Sequence, residues 1–156
     1  MAAPLGQLAR RALMKTMTGT HNAVLRLSRG RVGGHMRGMP VLLLTTTGRK
    51  SGKSRVTPLF YIRDGGAFVV VASNGGSDYV PAWWLNLESA PDAEIEIGRT
   101  RTRVTARKAA PGERSRLWGE LTAQFPGYAQ YEQRTTREIP VVILEPRGES
   151  TGDRGI

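Results

Sequence analysis

The chain contains no cysteine, which excludes a disulfide frame, a thiolate metal site and a thiol nucleophile. Its two histidines, His21 and His35, lie far from any clustered carboxylates, which argues against a zinc centre. Acidic residues are missing from the whole first part. Residues 1–63 hold 12 Lys/Arg and no Asp or Glu, and Asp64 is the first acid. Residues 64–156 hold 11 Lys/Arg against 13 Asp/Glu, so the net charge of +10 comes from the N-terminal part. That asymmetry calls for an anionic partner: nucleic acid, a membrane surface or a charged ligand. No apolar run is long enough to span a bilayer. A secretory h-region is also missing, because Arg10, Arg11 and Lys15 interrupt the N-terminal segment. The expected location is the cytoplasm, with the inner face of the cell membrane as the alternative.

What is present is concentrated in one run. Thr45, Thr46, Thr47 and Gly48 lead into Arg49-Lys50-Ser51-Gly52-Lys53-Ser54-Arg55, and Val56-Thr57-Pro58-Leu59 follows. Four basic side chains fall within seven residues, with no acid nearby. A turn of this composition brings backbone N–H groups, hydroxyls and positive charge together, the chemistry of a site for a phosphate or a polycarboxylate. The competing reading is a solvated hairpin turn, since charge runs usually face solvent.

At 156 residues the length fits one domain with a sizeable core. Residues 1–38 read as a basic appendage. Leu5, Leu8, Ala12, Leu13 and Met17 recur near helical spacing, and Gly30, Gly33, Gly34 and Gly38 mark a linker. The body runs over residues 39–146, and the polar tail 147–156 reads as disordered. Val41–Thr47, Val56–Arg63 and Ala67–Ser73 read as strands, the last two joined by the Asp64-Gly65-Gly66 turn. Pro81 opens a short helix through Ala82-Trp83-Trp84-Leu85-Asn86-Leu87, of whose two tryptophans one is expected inside and one at a pocket edge. Ala93–Ile97 and Thr100–Lys108 form a second hairpin. Leu117, Leu121 and Phe125, four apart, define a helix from Pro111, and Tyr128 and Tyr131 share the face of the next. Val141–Leu144 is the last strand. The order β-β-β-α-β-β-α-α-β, rich in hairpins, predicts a mainly β fold with inserted helices. Its antiparallel sheet should curl into a small barrel.

These blocks carry a resemblance. Pro40 through Lys50, then Arg55 through Leu59, the Asp64-Gly65-Gly66 turn, Ala72 through Gly76, and Pro81 through Leu87 resemble the actinobacterial deazaflavin-dependent nitroreductase family. The resemblance covers roughly residues 39–146, in order and at compatible spacing. It implies a split β-barrel of the FMN-binding, pyridoxine-phosphate-oxidase-like kind over residues 39–146. It also implies use of coenzyme F420, a deazaflavin that carries a phosphate and an oligoglutamate tail.

The resemblance also assigns roles to residues. Arg49, Lys50 and Arg55 would meet the phosphate and tail, with Ser51 as a hydroxyl donor. Val56, Thr57, Pro58, Leu59, Phe60 and Tyr61 would line the deazaflavin. Val71, Ala72, Ser73 and Asn74 would hold the far side of the ring. Ala82, Trp83, Trp84, Leu85 and Asn86 would close the pocket, and Tyr128 would lie over the substrate side. The implied reaction is hydride transfer from the reduced deazaflavin to a small-molecule acceptor: a quinone, an enone or an activated nitroaromatic. Ser73, Tyr128 and Tyr131 are the candidate catalytic residues, as hydrogen-bond donors to the oxygen that gains charge. The sequence departs from some relatives at Asn74, where they have lysine, at Phe125, where they have tyrosine, and at Ala82, where methionine is common.

Other readings compete with this one. An FMN-dependent oxidoreductase would use the same barrel, and a cofactor-binding protein without turnover would use the same turn. Nucleic-acid binding is favoured by charge, but no aromatics are interleaved with the early arginines to stack bases. No metal is expected. A monomer is expected, and residues 1–30, basic and amphipathic, are the candidate contact with a membrane surface.

Overall fold

The structure, a computed structural model, describes residues 35–36 and 38–148. The run of helical spacing expected over residues 5–17 and residues 149–156 of the tail lie outside the described residues. Eight strands form one sheet: β1 (His35–Met36), β2 (Met39–Thr47), β3 (Ser54–Phe60), β4 (Ile62–Asp64), β5 (Ala67–Val71), β6 (Asp92–Ile97), β7 (Thr100–Lys108) and β8 (Val141–Pro146). Helix α1 (Ala82–Ser89) lies between β5 and β6, and α2 (Pro111–Gln124) and α3 (Gly127–Arg134) lie between β7 and β8.

Every strand pairing is antiparallel. The strands run side by side as β3-β2-β6-β7-β8-β5-β4, with β1 on the start of β2. The two outermost strands, β3 and β4, are successive pieces of one chain that bends at Tyr61. The sheet therefore curls back on itself as the split β-barrel that the sequence implies.

The single strand expected over Val56–Arg63 is thus two strands. Up to Phe60 it pairs with β2, and from Ile62 it pairs with β5, so Tyr61 sits at a barrel corner. The strand expected over Ala67–Ser73 stops at Val71: the Ala72 N–H still reaches the carbonyl of Pro140, its partner in register, but proline has no N–H with which to extend the ladder. The sheet also reaches back into the expected linker, where His35 and Met36 pair with Pro40 and Met39 around Gly38 at φ +76°.

Pleating divides the apolar residues between two cores. Leu42, Leu44, Phe68, Val70, Ile95 and Val104 fill the barrel together with Trp83, Trp84 and Leu87 of α1. Val69, Val71 and Ile143 face outward and meet Leu117 and Leu121 of α2, then Phe125 and Tyr128. Strands β5 and β8 are apolar on both faces because both faces are covered. Pro111 occupies the first turn of α2, where its missing N–H costs no bond, and Glu113 accepts the N–H of Ala110 at 3.2 Å. Two covered faces give the barrel walls rigidity, so loops at the barrel end hang from fixed strands. Among the described residues, no helix is long and apolar enough to cross a membrane.

Candidate functional site

The basic turn joins β2 to β3, and its conformation is set by glycines and backbone bonds. The Gly48 N–H donates to the Lys53 carbonyl, and the Gly52 N–H to the Gly48 carbonyl, both at 2.8 Å. A Cβ on Gly48 would lie 2.7 Å from Ser51 Oγ and 3.2 Å from the Lys53 carbonyl oxygen, so a larger residue would push the Ser51 hydroxyl aside. Gly52 takes φ +69°, which also favours glycine. Ser51 Oγ accepts the Lys53 N–H at 3.2 Å. Ser51 thus serves the turn itself, in addition to its expected role as a donor.

The turn is anchored from α1. Asn86 is 4% exposed and uses both ends of its amide. Its Nδ2 donates to Thr46 Oγ1 at 3.1 Å, and its Oδ1 accepts the Arg49 N–H at 3.1 Å. A buried polar group requires partners of this kind, and here the partners couple the helix, the strand end and the turn. The sequence places Asn86 in the pocket wall, whereas the structure makes it the peg that holds the turn.

Arg49, Lys50, Lys53 and Arg55 are exposed. None of the four side chains forms an ion pair among the described residues. A shallow groove of about 260 Å³ lies beside the turn, over Thr45, Thr47, Ser54, Asp92, Glu94 and Arg103. Its two carboxylates, Asp92 and Glu94, are matched by Arg103 and Arg147, so the groove has no excess of positive charge like that of the turn.

The expected lining Val56–Tyr61 does not form one surface, because the strand is pleated. Leu59 and Tyr61 pack against the barrel core. Phe60 points the other way and stacks on Phe125 with ring centroids 5.5 Å apart. Val56, Thr57 and Pro58 are half-buried. Of the α1 residues, Trp83 and Trp84 are both buried in the barrel core, which corrects the expectation that one borders a pocket. Ala72 shares that core, so α1 and the loop after β5 are packed through common neighbours. Ala82 is exposed and Leu85 half-buried.

The loop after β5 is tightly specified. Ser73 is buried, and Asn74, Gly75 and Gly76 follow with φ of +47°, +66° and +79°. Asn74 is the only non-glycine among the described residues with positive φ, a conformation asparagine tolerates. Its Nδ2 turns back to the Tyr79 carbonyl at 3.1 Å. A Cβ on Gly76 would lie 3.0 Å from the Cα of Tyr131, so the loop rests directly on α3.

Tyr128 and Tyr131 share a face of α3 with ring centroids 5.9 Å apart. Tyr128 is buried among Phe125, Trp118 and Tyr131. Burial, and then the neighbouring Tyr131, push its phenol well above the usual tyrosine range. It is therefore a poor proton donor and a core residue. Tyr131 is half-buried and is the more accessible of the two.

Sequence reasoning missed Arg137. Its guanidinium donates to the carbonyls of Ala72, Ser73 and Ser77 at 3.2, 3.0 and 3.0 Å. Nothing in the polar stretch Thr135–Glu138 signals this, since the contact spans some sixty residues and depends on the fold. Among the described residues no group of three or more His, Cys, Asp or Glu could hold a metal.

Fold and turn together define a split β-barrel with an unpaired basic corner. The model of the F420H(2)-dependent quinone reductase family matches residues 17–146, and the chain belongs to that family. The match begins well before residue 39 and takes in part of the N-terminal segment. An F420H(2)-dependent quinone reductase of Mycobacterium tuberculosis is 43% identical over 131 residues, which is 81% of this chain and 88% of the relative. A solved F420-H2 dependent reductase is 38% identical, with a TM-score of 0.63 over 68% of this chain and 94% of its own. A second solved chain, described as a domain-swapped dimer, is 34% identical, with a TM-score of 0.65 over 84% of this chain and 99% of its own.

Proposed function

We propose that this chain is a reductase that uses reduced coenzyme F420 to reduce a quinone. The observation that carries the reading is the β2–β3 turn, with Arg49, Lys50, Lys53 and Arg55 unpaired among the described residues. A cofactor that ends in a phosphate and several carboxylates needs such a set of cations. The donor chemistry present fits the group. Membership of the F420H(2)-dependent quinone reductase family supports the same cofactor. It gives the FMN and nucleic-acid readings no comparable support.

In this reading Arg49, Lys50 and Arg55 hold the anionic end, and the Asn86 peg keeps their backbone fixed. The loop Ala72–Asn74 holds the ring from one side, and Leu59 and Tyr61 form apolar wall behind it. Bound in its reduced form, the cofactor supplies a hydride. The acceptor oxygen then gains negative charge, and a fixed donor aimed at it lowers the barrier. Ser73 and Tyr131 are the donors on hand, with solvent supplying the proton. Tyr128 supports Tyr131 by packing. Enones and activated nitroaromatics are further acceptors of the same electronic type. We retain the monomer as the oligomeric reading and residues 1–30 as the candidate membrane contact. Sedimentation velocity and co-sedimentation with anionic vesicles test these two points.

The first test is fluorescence titration of the purified chain with oxidised F420, run beside FMN. The expected result is saturable binding of F420 alone, followed by quinone reduction when the reduced form is supplied. Binding of FMN alone would keep the fold and overturn the cofactor. Binding of neither would return the basic turn to an ordinary solvated loop.

A further inference from the structure

The loop from Ala72 to Tyr79 carries the ring-side residues of the proposed site, yet its shape is held from outside that site. Arg137 lies just before β8, after the Thr135–Thr136 connection. Its Nη2 donates to the Ala72 and Ser73 carbonyls at 3.2 and 3.0 Å and reaches the Tyr79 carbonyl at 3.4 Å. Its Nε donates to the Ser77 carbonyl at 3.0 Å. The Nη1 atom is buried and has no partner among the described residues. Thr135 adds a second tie, its Oγ1 donating to Asp78 at 2.7 Å. No carboxylate pairs with the guanidinium among the described residues.

This pattern differs from that of an ordinary surface arginine. A guanidinium is a rigid planar fork, and the three N–H groups of Nη2 and Nε hold the Ala72, Ser73 and Ser77 peptide planes together. In a trans peptide the carbonyl and the following N–H point in opposite directions. Fixing the Ala72 and Ser73 carbonyls therefore fixes the peptides on both sides of Ser73, and with them the direction of its side chain. The same fork holds the loop through three consecutive left-handed residues, Asn74, Gly75 and Gly76. Glycine and asparagine take that conformation at little steric cost, so ties from outside, not strain, select the path of the loop.

We infer that Arg137 is a positioning residue for the proposed hydride transfer: it fixes loop 72–79 so that Ser73 and the ring-side backbone stand in one geometry. The inference rests on the F420-dependent reading. Arg137 acts through the loop. Lysine cannot reproduce the fork, because its donors all sit on one nitrogen and cannot take up the separate Nε and Nη2 positions.

The test compares full-length wild type with Arg137→Lys and Arg137→Ala. Hydrogen–deuterium exchange without cofactor is read first, and it should rise at least tenfold in the peptide covering residues 72–79 of Arg137→Lys. Exchange in β5 and β8 should stay as in the wild type. For kinetics, kcat with reduced F420 and a soluble quinone should fall at least tenfold in Arg137→Lys, with oxidised-F420 affinity changed by less than threefold. Added guanidinium should restore part of kcat in Arg137→Ala but not in the wild type. Unchanged exchange in residues 72–79 of Arg137→Lys would overturn the inference. So would an unchanged kcat, or a loss of kcat that follows the fraction of folded protein. If the wild type fails to bind F420, the cofactor reading falls, and the exchange arm still decides whether Arg137 holds the loop.

Discussion

The cations at the β2–β3 turn and those on the face built by β7, α2 and β8 live in different surroundings. On that face Arg107 donates to Glu113 at 2.7 and 2.9 Å and to Glu145 at 2.7 Å. Arg116 meets Asp64 through two bonds of 3.0 and 2.9 Å. These arginines are neutralised within the protein, and as exposed pairs they add little to stability. At the turn, Arg49, Lys50, Lys53 and Arg55 have no such partners among the described residues. A cluster of like charges held on a rigid turn repels itself, and an anionic ligand relieves the repulsion. On the proposed reading, the clustering of unpaired cations on one turn separates a ligand-binding use of basic residues from a structural one.

The comparison breaks or holds on cofactor affinity, where the largest effect is expected. Removing one charge-assisted contact costs about 1.5–3 kcal/mol, about tenfold or more in affinity. Lys50→Ala and Arg55→Ala should each weaken F420 binding about tenfold, and the double variant about a hundredfold. Arg107→Ala, which removes the same charge from the paired face, should leave affinity unchanged. Titration at several salt concentrations checks this. Equal losses from the two regions would show that only net charge matters.

The next effect is on stability and tests how the turn is held. Asn86→Leu removes the amide that serves Thr46 Oγ1 and the Arg49 N–H. Leaving those groups without a partner should cost about 1–3 kcal/mol in urea unfolding. Cofactor binding should weaken as well, because the Arg49 backbone loses its anchor. A variant that unfolds like the wild type would mean that the turn stands without its peg.

The basic turn was readable from the chain because its signal is local: glycines, hydroxyls and cations packed into a few residues with no acid among them. The succession of strands and helices along the chain was readable for a similar reason, since apolar runs and Gly-rich turns alternate along the body. Other features depend on long-range contacts. The break at Tyr61 appears only once β3 pairs with β2 and β4 with β5. Trp83 and Trp84 are successive residues of one helix, and both are buried because the barrel closes around α1. Tyr128 and Tyr131 had the same standing in sequence, and Phe125, Trp118 and Tyr131 pack around the first. Arg137 carries no local mark at all, because its acceptors are backbone carbonyls some sixty residues away.

The two tyrosines sharpen the comparison within the site. Tyr131→Phe should lower quinone turnover about tenfold, the worth of one oriented hydrogen bond of about 1.4 kcal/mol. F420 affinity should stay near the wild-type value. Tyr128→Phe should change turnover far less, since that phenol is buried among aromatic rings and does not ionise near neutral pH. Steady-state kinetics on a panel of quinones, enones and nitroaromatics checks both. Equal effects from both would undo the distinction between the packed tyrosine and the accessible one.

The smallest effect lies on the paired face and is read through pH. The Arg107 guanidinium, and then the Ala110 N–H, hold the Glu113 carboxyl at about 2, below its ordinary value of 4.5. A carboxyl held low in the folded state stabilises fully above its unfolded value and loses that contribution as pH falls through the folded one. The melting temperature of the wild type should therefore decline as pH drops from about 4.5 toward about 2. Glu113→Gln carries no such titration, so the gap between the two proteins should be widest above about pH 5 and close on acidification. A smaller decline should survive in Glu113→Gln, because the bond from Arg116 holds Asp64 below its ordinary value as well. Lys50→Ala should leave the whole acid profile as it is in the wild type, because the turn has no carboxylate to protonate. A shift of that profile in Lys50→Ala would reveal an acidic partner for the turn and remove the ground for reading its cations as ligand-binding.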